Sequence, residues 1–241
     1  MQKTLIIIPC YNEAKRLPYE EYVSFFSKKE TIDFLFVNDG SVDNTIEVLT
    51  KLQRNFQNAS ILDLSQNVGK AEAIRSAMLK VELKEYEYIG YLDADLATPI
   101  DEVDNLIKQI ERNPSPYLIM GSRIKILGLT DIQRKLSRHY IGRAFATVVS
   151  NMLKLPIYDT QCGAKLIKKE IVKEIFAQPF LSKWLFDVEL LFRIKGSYSD
   201  YGGRIIEVPI SKWEDKDGSK ISAFYFLKAP FDLLKIFFHY Y

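Results

Sequence analysis

Tyr88-Ile89-Gly90-Tyr91-Leu92 runs directly into Asp93-Ala94-Asp95, and then into Leu96-Ala97-Thr98-Pro99. A short apolar run closed by polar residues and a proline reads as a buried strand that stops at a loop. The two carboxylates lie where that strand ends, two positions apart. Hard divalent cations such as Mg²⁺ and Mn²⁺ prefer oxygen ligands and are commonly shared between one or two carboxylates and phosphate oxygens. Asp93 and Asp95 are therefore candidates to hold such a metal against a substrate diphosphate. The bland alternative is a solvated turn whose carboxylates cap the next helix.

The same strand-then-polar pattern recurs on both sides of this stretch. Thr4–Pro9 is an apolar run followed by Tyr11-Asn12-Glu13, and Ile32–Val37 is another followed by Asp39-Gly40-Ser41. Ser60–Leu64 precedes Asn67–Lys70, and Tyr117–Gly121 precedes Ser122-Arg123. Between them lie helical spacings: Ile46, Leu49, Leu52 and Phe56; Ala71, Ile74, Met78 and Val81; and the segment Ile100–Glu111. Short strands alternating with amphipathic helices predict an α/β domain with a mainly parallel sheet covered on both faces. Ligands of such sheets bind beyond the carboxyl ends of the strands, so the polar clusters are expected to gather at one rim.

The second half is less regular. Gln133–Leu153 reads as one long basic amphipathic helix carrying Arg134, Arg138 and Arg143. Asp159–Ala164 reads as a polar turn, Leu185–Ile194 as a helix, Arg204–Ile210 as a strand and Trp213–Lys220 as a charged loop. Phe224–Tyr241 is rich in aromatics and carries Lys228, Asp232 and Lys235. It fits a core helix and a helix lying in a membrane interface equally.

Composition narrows the function classes. The 241 residues carry 33 basic and 31 acidic side chains, a formal charge of +2, which gives no global nucleic-acid signature. Two cysteines, Cys10 and Cys162, suggest a reducing compartment and neither a disulfide scaffold nor a zinc site. No signal peptide and no transmembrane helix are predicted. Asn67-Val68-Gly69-Lys70 resembles the tail of a phosphate loop, but Leu64 stands where that loop needs glycine. A dinucleotide fingerprint after the first strand is also missing. Arg123, Arg134 and Arg138 read either as a solvated face or as a clamp for a phosphate, which arginine recognises through its planar fork. Asp159 holds a turn, orients a neighbour or serves as a base. Asp39-Gly40-Ser41 reads as a turn before a helix or as a nucleoside contact at the rim.

Taken in order, Ile8-Pro9-Cys10-Tyr11-Asn12-Glu13, Val37-Asn38-Asp39-Gly40-Ser41, Asn67-Val68-Gly69-Lys70, Asp93-Ala94-Asp95 and Gly121-Ser122-Arg123 resemble the family-2 glycosyltransferases of the GT-A fold. Asp159-Thr160-Gln161-Cys162-Gly163, Trp184-Leu185-Phe186-Asp187-Val188-Glu189 and Gly218-Ser219-Lys220-Ile221 narrow the likeness to the dolichyl- and polyprenyl-phosphate sugar synthases, closest to the β-glucosyl type. Ala97-Thr98 after the second aspartate also matches the glucosyl type; the mannosyl type often has glutamine at the first of these positions. The resemblance covers residues 4–221.

It implies a Rossmann-like GT-A domain over 1–221, with 222–241 an appended amphipathic helix. It implies an inverting hexosyltransferase using Mg²⁺ or Mn²⁺, a nucleotide sugar (UDP-hexose favoured) and a polyprenyl-phosphate acceptor. The enzyme would sit peripherally on the cytoplasmic face of a membrane. Pro9, Tyr11, Glu13, Asp39, Lys70, Asp93, Ala94 and Asp95 would line the donor site, with Asp95 the stronger metal ligand beside Asp93. Ser219 and Lys220 would close over the diphosphate. Arg123, Arg134 and Arg138 would face the lipid phosphate. Were the acceptor a saccharide hydroxyl instead, a base would be needed, and Asp159 is the candidate. A non-catalytic sugar-nucleotide-binding subunit is the third reading.

Overall fold

The computed structural model describes residues 3–29, 31–113, 115–134, 136–216 and 223–241, with side chains at 136–138 and 223–227 left aside. β1 (Thr4–Cys10), β2 (Ile32–Asp39), β3 (Ala59–Leu64), β4 (Tyr88–Tyr91), β5 (Leu118–Ser122), β7 (Lys165–Lys168) and β8 (Ile205–Pro209) form a seven-stranded sheet ordered β3-β2-β1-β4-β7-β5-β8. β7 alone runs antiparallel to its neighbours, pairing Lys165 with Tyr91 on one side and with Met120 on the other. β6 (Asp131–Gln133) and β9 (Lys212–Glu214) make a separate parallel pair.

The strands are apolar on both sides because both faces are covered. In β1, Leu5 and Ile7 enter one core and Ile6 and Ile8 the other, following the two-residue period of a strand. The first core is closed by α3 (Lys70–Lys80), α5 (Leu136–Leu153), α6 (Lys169–Ile175), α7 (Phe186–Ser197) and α8 (Ala223–Tyr240). The second is closed by α1 (Tyr19–Phe26), α2 (Thr45–Asn55) and α4 (Glu102–Arg112). Tyr22, Phe26, Phe34 and Phe36 pack there with ring centroids 4.6–5.8 Å apart.

Two expectations change. Arg134 lies between β6 and α5, so the basic helix begins at Leu136 and the arginine precedes it. Trp213 belongs to β9 and is buried, not part of a charged loop. The last helix buries one face and exposes the other. Leu233 and Ile236 enter the core, while Phe231, Leu234, Phe238 and Tyr241 stay exposed.

The antiparallel strand has a consequence for the site. Parallel β1, β2, β4 and β5 deliver their carboxyl ends to one rim. β7 runs the other way, so it meets that rim with its amino end, which the turn 159–164 precedes.

Candidate active site

The loop after β1 is tied to the loop after β2. The Asn12 amide donates to Ser41 Oγ (3.0 Å), the Glu13 amide to Thr45 Oγ1 (2.8 Å) and the Ala14 amide to Asp43 Oδ2 (3.2 Å). The Val42 amide donates back to Asn12 Oδ1 (2.9 Å). Asp39 is turned inward, 2% exposed. Its carboxylate accepts from the Val68 amide (2.8 Å), the Gly69 amide (2.9 Å) and Asn67 Nδ2 (3.0 Å). Gly40, at φ +60°, permits this seat, since a Cβ there would stand 2.3 Å from the Gln66 carbonyl carbon. In this structure Asp39 serves the protein: it fixes the 66–69 loop that carries Lys70 to the rim. Pro9 and Tyr11 are half-buried beside it and Glu13 is buried.

Asp93 and Asp95 face one way because the chain between them alternates. Leu92, Ala94 and Leu96 are buried, while both aspartates are part-exposed. Ala94 thus contributes no side chain to the rim; its carbonyl accepts from Tyr22 Oη (3.1 Å), anchoring the segment. Leu96 takes φ 49°, a left-handed conformation uncommon for a branched side chain, and the Ala97 amide donates to Asp95 Oδ1 (3.1 Å).

Each aspartate carries a cationic partner. Lys70 Nζ pairs with Asp93, and Arg16 Nη2 lies 3.3 Å from Asp95 while its Nη1 lies 3.6 Å from Glu13. Burial alone would lower the Lys70 pKa, but Asp93, Asp187 and Asp95 outweigh it and raise the pKa, so the lysine stays charged.

The donor set fits a hard divalent cation. It consists of carboxylate oxygens on one strand end, and Asp93 sits in a cradle that a methyl group would fill: a Cβ on Gly163 would stand 2.0 Å from Asp93 Oδ2. Two carboxylates are fewer than a protein-only metal cage needs, and no group of three or more His, Cys, Asp or Glu side chains suited to a metal occurs among the described residues. That is the ligand count of a site completed by substrate phosphates.

The turn 159–163 links this half-site to a second. Its Gly163 end touches Asp93, and its Asp159 end is gripped by Arg123. Arg123 donates to Asp159 through Nε (2.6 Å), Nη2 (2.8 Å) and its own amide (3.0 Å). Burial opposes both charges, yet the pairing prevails: Asp159 is held far below the ordinary carboxylate range and Arg123 is raised. Glu207 anchors the turn from behind, accepting the amides of Tyr158 (2.9 Å) and Asp159 (2.6 Å). Arg134 and Arg123 each place a guanidinium 5.3 Å from the Trp213 ring centroid.

Beside them opens a cavity of about 300 Å³, with Arg123, Lys125, Arg134, His139, Arg143 and Tyr158 on its wall. Arg134 Nη2 is buried with no hydrogen-bond partner among the described residues. Burial, then repulsion from Arg123, lowers the Arg134 pKa. This cluster has lone N–H donors and surplus positive charge, the complement of an anion. Arg138 lies in the first turn of α5, where side chains are not described, and Ser219 and Lys220 fall outside the described residues. Cys162 is buried and burial pushes its thiol up, which leaves it a core residue.

Residues 5–176 of the chain match the family model of glycosyl transferase family 2. The chain belongs to that family. A dolichyl-phosphate beta-glucosyltransferase of Trichomonas vaginalis is 32% identical across 96% of this chain and 72% of its own length. Enzymes of the same name from Saccharomyces cerevisiae and Homo sapiens are 32% and 31% identical, over 90% and 96% of this chain and 68% and 74% of theirs. The glucosyl-3-phosphoglycerate synthase of Mycobacterium tuberculosis, solved with uridine diphosphate, superposes with a TM-score of 0.71. It is 14% identical and aligns over 98% of this chain and 80% of its own, which establishes the shared GT-A fold.

Three residues at this family-2 site were not singled out from the sequence. Arg16 belongs to the loop after the first strand, a position that itself signals the ligand rim. Gly163 lay inside a recognised segment but was read only as turn. Glu207 opens Glu207-Val208-Pro209-Ile210, a segment that also carries the family resemblance, but the sequence assigns it no role; its grip on the turn depends on β8 lying beside the 158–159 backbone.

Proposed function

We propose that the protein is an inverting glucosyltransferase that moves the sugar of UDP-glucose to a dolichyl or polyprenyl phosphate. The similarity to three dolichyl-phosphate beta-glucosyltransferases supports the substrate pair. The observation that carries the acceptor assignment is the basic cavity in which Arg134 Nη2 makes no hydrogen bond and stands 4.0 Å from an Asp159 already committed to Arg123. A sugar hydroxyl must lose a proton as it attacks, and a carboxylate depressed this far is a feeble base. A phosphate monoester is already anionic near neutral pH, with its second pKa near ~6, and needs positioning only.

In this reading Asp93 and Asp95 hold Mg²⁺ or Mn²⁺. A bound divalent cation supplies neutralisation of the charge that develops on the departing diphosphate. Lys70 adds a fixed positive charge at the start of α3. Pro9, Tyr11 and the Asp39-held loop border the nucleoside. Arg123, Arg134 and Arg138 orient the acceptor phosphate for attack in line with the leaving group, and the turn 159–163 fixes the spacing between the two halves.

Membrane contact follows from the acceptor. Leu127, Tyr140, Ile141 and Tyr158 are exposed and stand at, or within two residues of, the cavity wall. Phe231, Leu234 and Phe238 on α8, with Tyr241 just beyond it, form an exposed stripe flanked by Lys228 and Lys235, the pattern of an interfacial helix. No helix among the described residues is long and apolar enough to cross a membrane.

The test is transfer from radiolabelled UDP-glucose to dolichyl phosphate in detergent, compared with a free saccharide acceptor. Arg134→Gln is expected to raise KM for the lipid phosphate roughly tenfold or more with KM for UDP-glucose unchanged. Transfer to the saccharide but not to the lipid would overturn the assignment.

A further inference from the structure

The cations on Asp93 and Asp95 are a feature that the sugar-transfer reading does not explain. Both carboxylates are part-exposed, yet each meets a cationic side chain. Here one carboxylate holds Lys70 and the other holds Arg16. Arg16 does not reach this position by chance. The turn that carries it is closed by the amides of Arg16 (2.9 Å) and Leu17 (2.8 Å) donating to the Glu13 carbonyl. That turn is in turn pinned by Ser41, Asp43 and Thr45. The guanidinium lies between two carboxylates from different strand ends, Glu13 after β1 and Asp95 after β4, and its side chain remains 28% exposed. It is therefore held firmly at its base and is free to swing at its tip.

We propose that Arg16 is an exchangeable counter-ion of the donor site: it occupies Asp95 until the divalent cation binds there, then turns to the donor's diphosphate. This rests on the donor-site reading above. The charge balance supplies the drive. Glu13, Asp93 and Asp95 against Arg16 and Lys70 leave one net negative charge. Adding a divalent cation makes the cluster net positive by the same amount, so the guanidinium on Asp95 becomes the least favourably placed charge. A diphosphate then offers the freed arginine a fork-shaped acceptor, which a guanidinium matches in geometry and charge. Arg16 would thus weaken metal binding to the empty enzyme and strengthen metal binding together with donor. Ordered loading follows: metal and nucleotide sugar favour each other through a residue that neither can satisfy alone.

The sign of the effect separates this from a structural role. Mn²⁺ affinity is measured by the paramagnetic resonance of the free ion, and UDP affinity by calorimetry at saturating Mn²⁺. Arg16→Gln is expected to bind Mn²⁺ alone about three- to tenfold more tightly, because a competing cation is removed. The same variant is expected to bind UDP about tenfold more weakly. Arg16→Lys, which keeps the charge without the fork, should restore the Mn²⁺ affinity of the parent and recover only part of the UDP affinity. Melting temperatures of both variants guard against misfolding. Unchanged or weakened Mn²⁺ binding in Arg16→Gln, with the parent binding Mn²⁺ and UDP normally, overturns this proposal and leaves the donor site standing. Unchanged UDP affinity overturns the second half, the turn to the diphosphate. A parent protein that binds no Mn²⁺ even with UDP overturns the donor-site reading and this proposal with it.

Discussion

Gly163→Ala is the most discriminating perturbation of the proposed metal site, because it adds one methyl group at a known distance from one ligand. The new Cβ would stand 2.0 Å from Asp93 Oδ2, 2.4 Å from Cγ and 2.8 Å from Oδ1. To recover the ~3.5 Å spacing of a relaxed non-bonded contact, the carboxylate has to retreat by about 1.5 Å. It is the end of a part-exposed side chain paired with Lys70, so the move costs a modest amount of folding free energy, on the order of 1 kcal/mol, the low end for an added methyl group. Its chemical cost is large. A displacement near 1 Å in a reacting constellation is worth roughly 10²-fold in rate, and a disturbed ligand arrangement costs about 10- to 100-fold in metal affinity. The expected result is therefore a protein with near-parental melting temperature, Mn²⁺ binding weakened at least tenfold, and glucosyl transfer reduced about a hundredfold. Gly196→Ala is the matched control. It lies in α7, where an added Cβ meets nothing within 4 Å, so it should stabilise by up to ~1 kcal/mol and leave transfer unchanged. Manganese titration and a labelled-sugar assay on both variants decide the matter. Parental metal affinity and turnover in Gly163→Ala would refute the placement of Asp93 at the metal.

Two further expectations follow from the second half-site and the last helix. Asp159 has a pKa depressed below that of an unfolded carboxylate, so its pairing stabilises the fold above about pH 4 and that contribution is lost as pH falls through the native value; Asp159→Asn should be less stable at neutral pH and show a flatter loss of stability between about pH 4 and pH 2, measured by urea unfolding across that range. On α8, replacing Phe231 and Phe238 together by serine removes both exposed phenylalanines of the stripe without touching Leu233 or Ile236; co-sedimentation with anionic vesicles should fall several-fold while the melting temperature stays constant, and undiminished vesicle binding would exclude these α8 side chains as the contact.

The first half of the fold is legible in the sequence because its signals are local. Ile6-Ile7-Ile8 and Phe34-Leu35-Phe36-Val37 declare buried strands by themselves, and each is followed at once by the polar residues that form the rim. Lys165–Lys168 is the contrary case. A four-residue stretch with lysine at both ends reads as surface, yet Lys165 is fully buried. Its ammonium is satisfied by the Cys162 carbonyl (2.6 Å) and by Asp187 (2.6 Å), the latter also bonded to Tyr91 Oη. The Cys162 carbonyl is local, but the charge partner Asp187 comes from α7 and the Tyr91 that braces it from β4, so no local pattern announces the strand. Arg134 was misplaced onto a helix for a related reason. β6 has three residues, too few for a period to show, and it exists because β9 pairs with it from 80 positions downstream.

The antiparallel strand also explains how one short turn comes to govern both half-sites. Had β7 run parallel, residues 159–164 would lie at the opposite edge of the sheet, and neither Asp93 nor Arg123 would meet them. Instead Gly163 backs Asp93 while Asp159 holds Arg123. The spacing between the two reacting groups is then set by backbone, with Glu207 gripping the amides at the far end. A carboxylate used in this way has a recognisable kinetic signature. A general base that is removed lowers kcat at every acceptor concentration, whereas an orienting carboxylate that is removed releases Arg123 and raises KM for the acceptor first. The bidentate contacts, the depressed carboxyl and the Arg134 Nη2 left without a hydrogen bond 4.0 Å from it all favour the second outcome. The acid limb of such an enzyme's pH profile then belongs to the phosphate it receives, near pH ~6, and not to Asp159, whose charge is already fixed well below that.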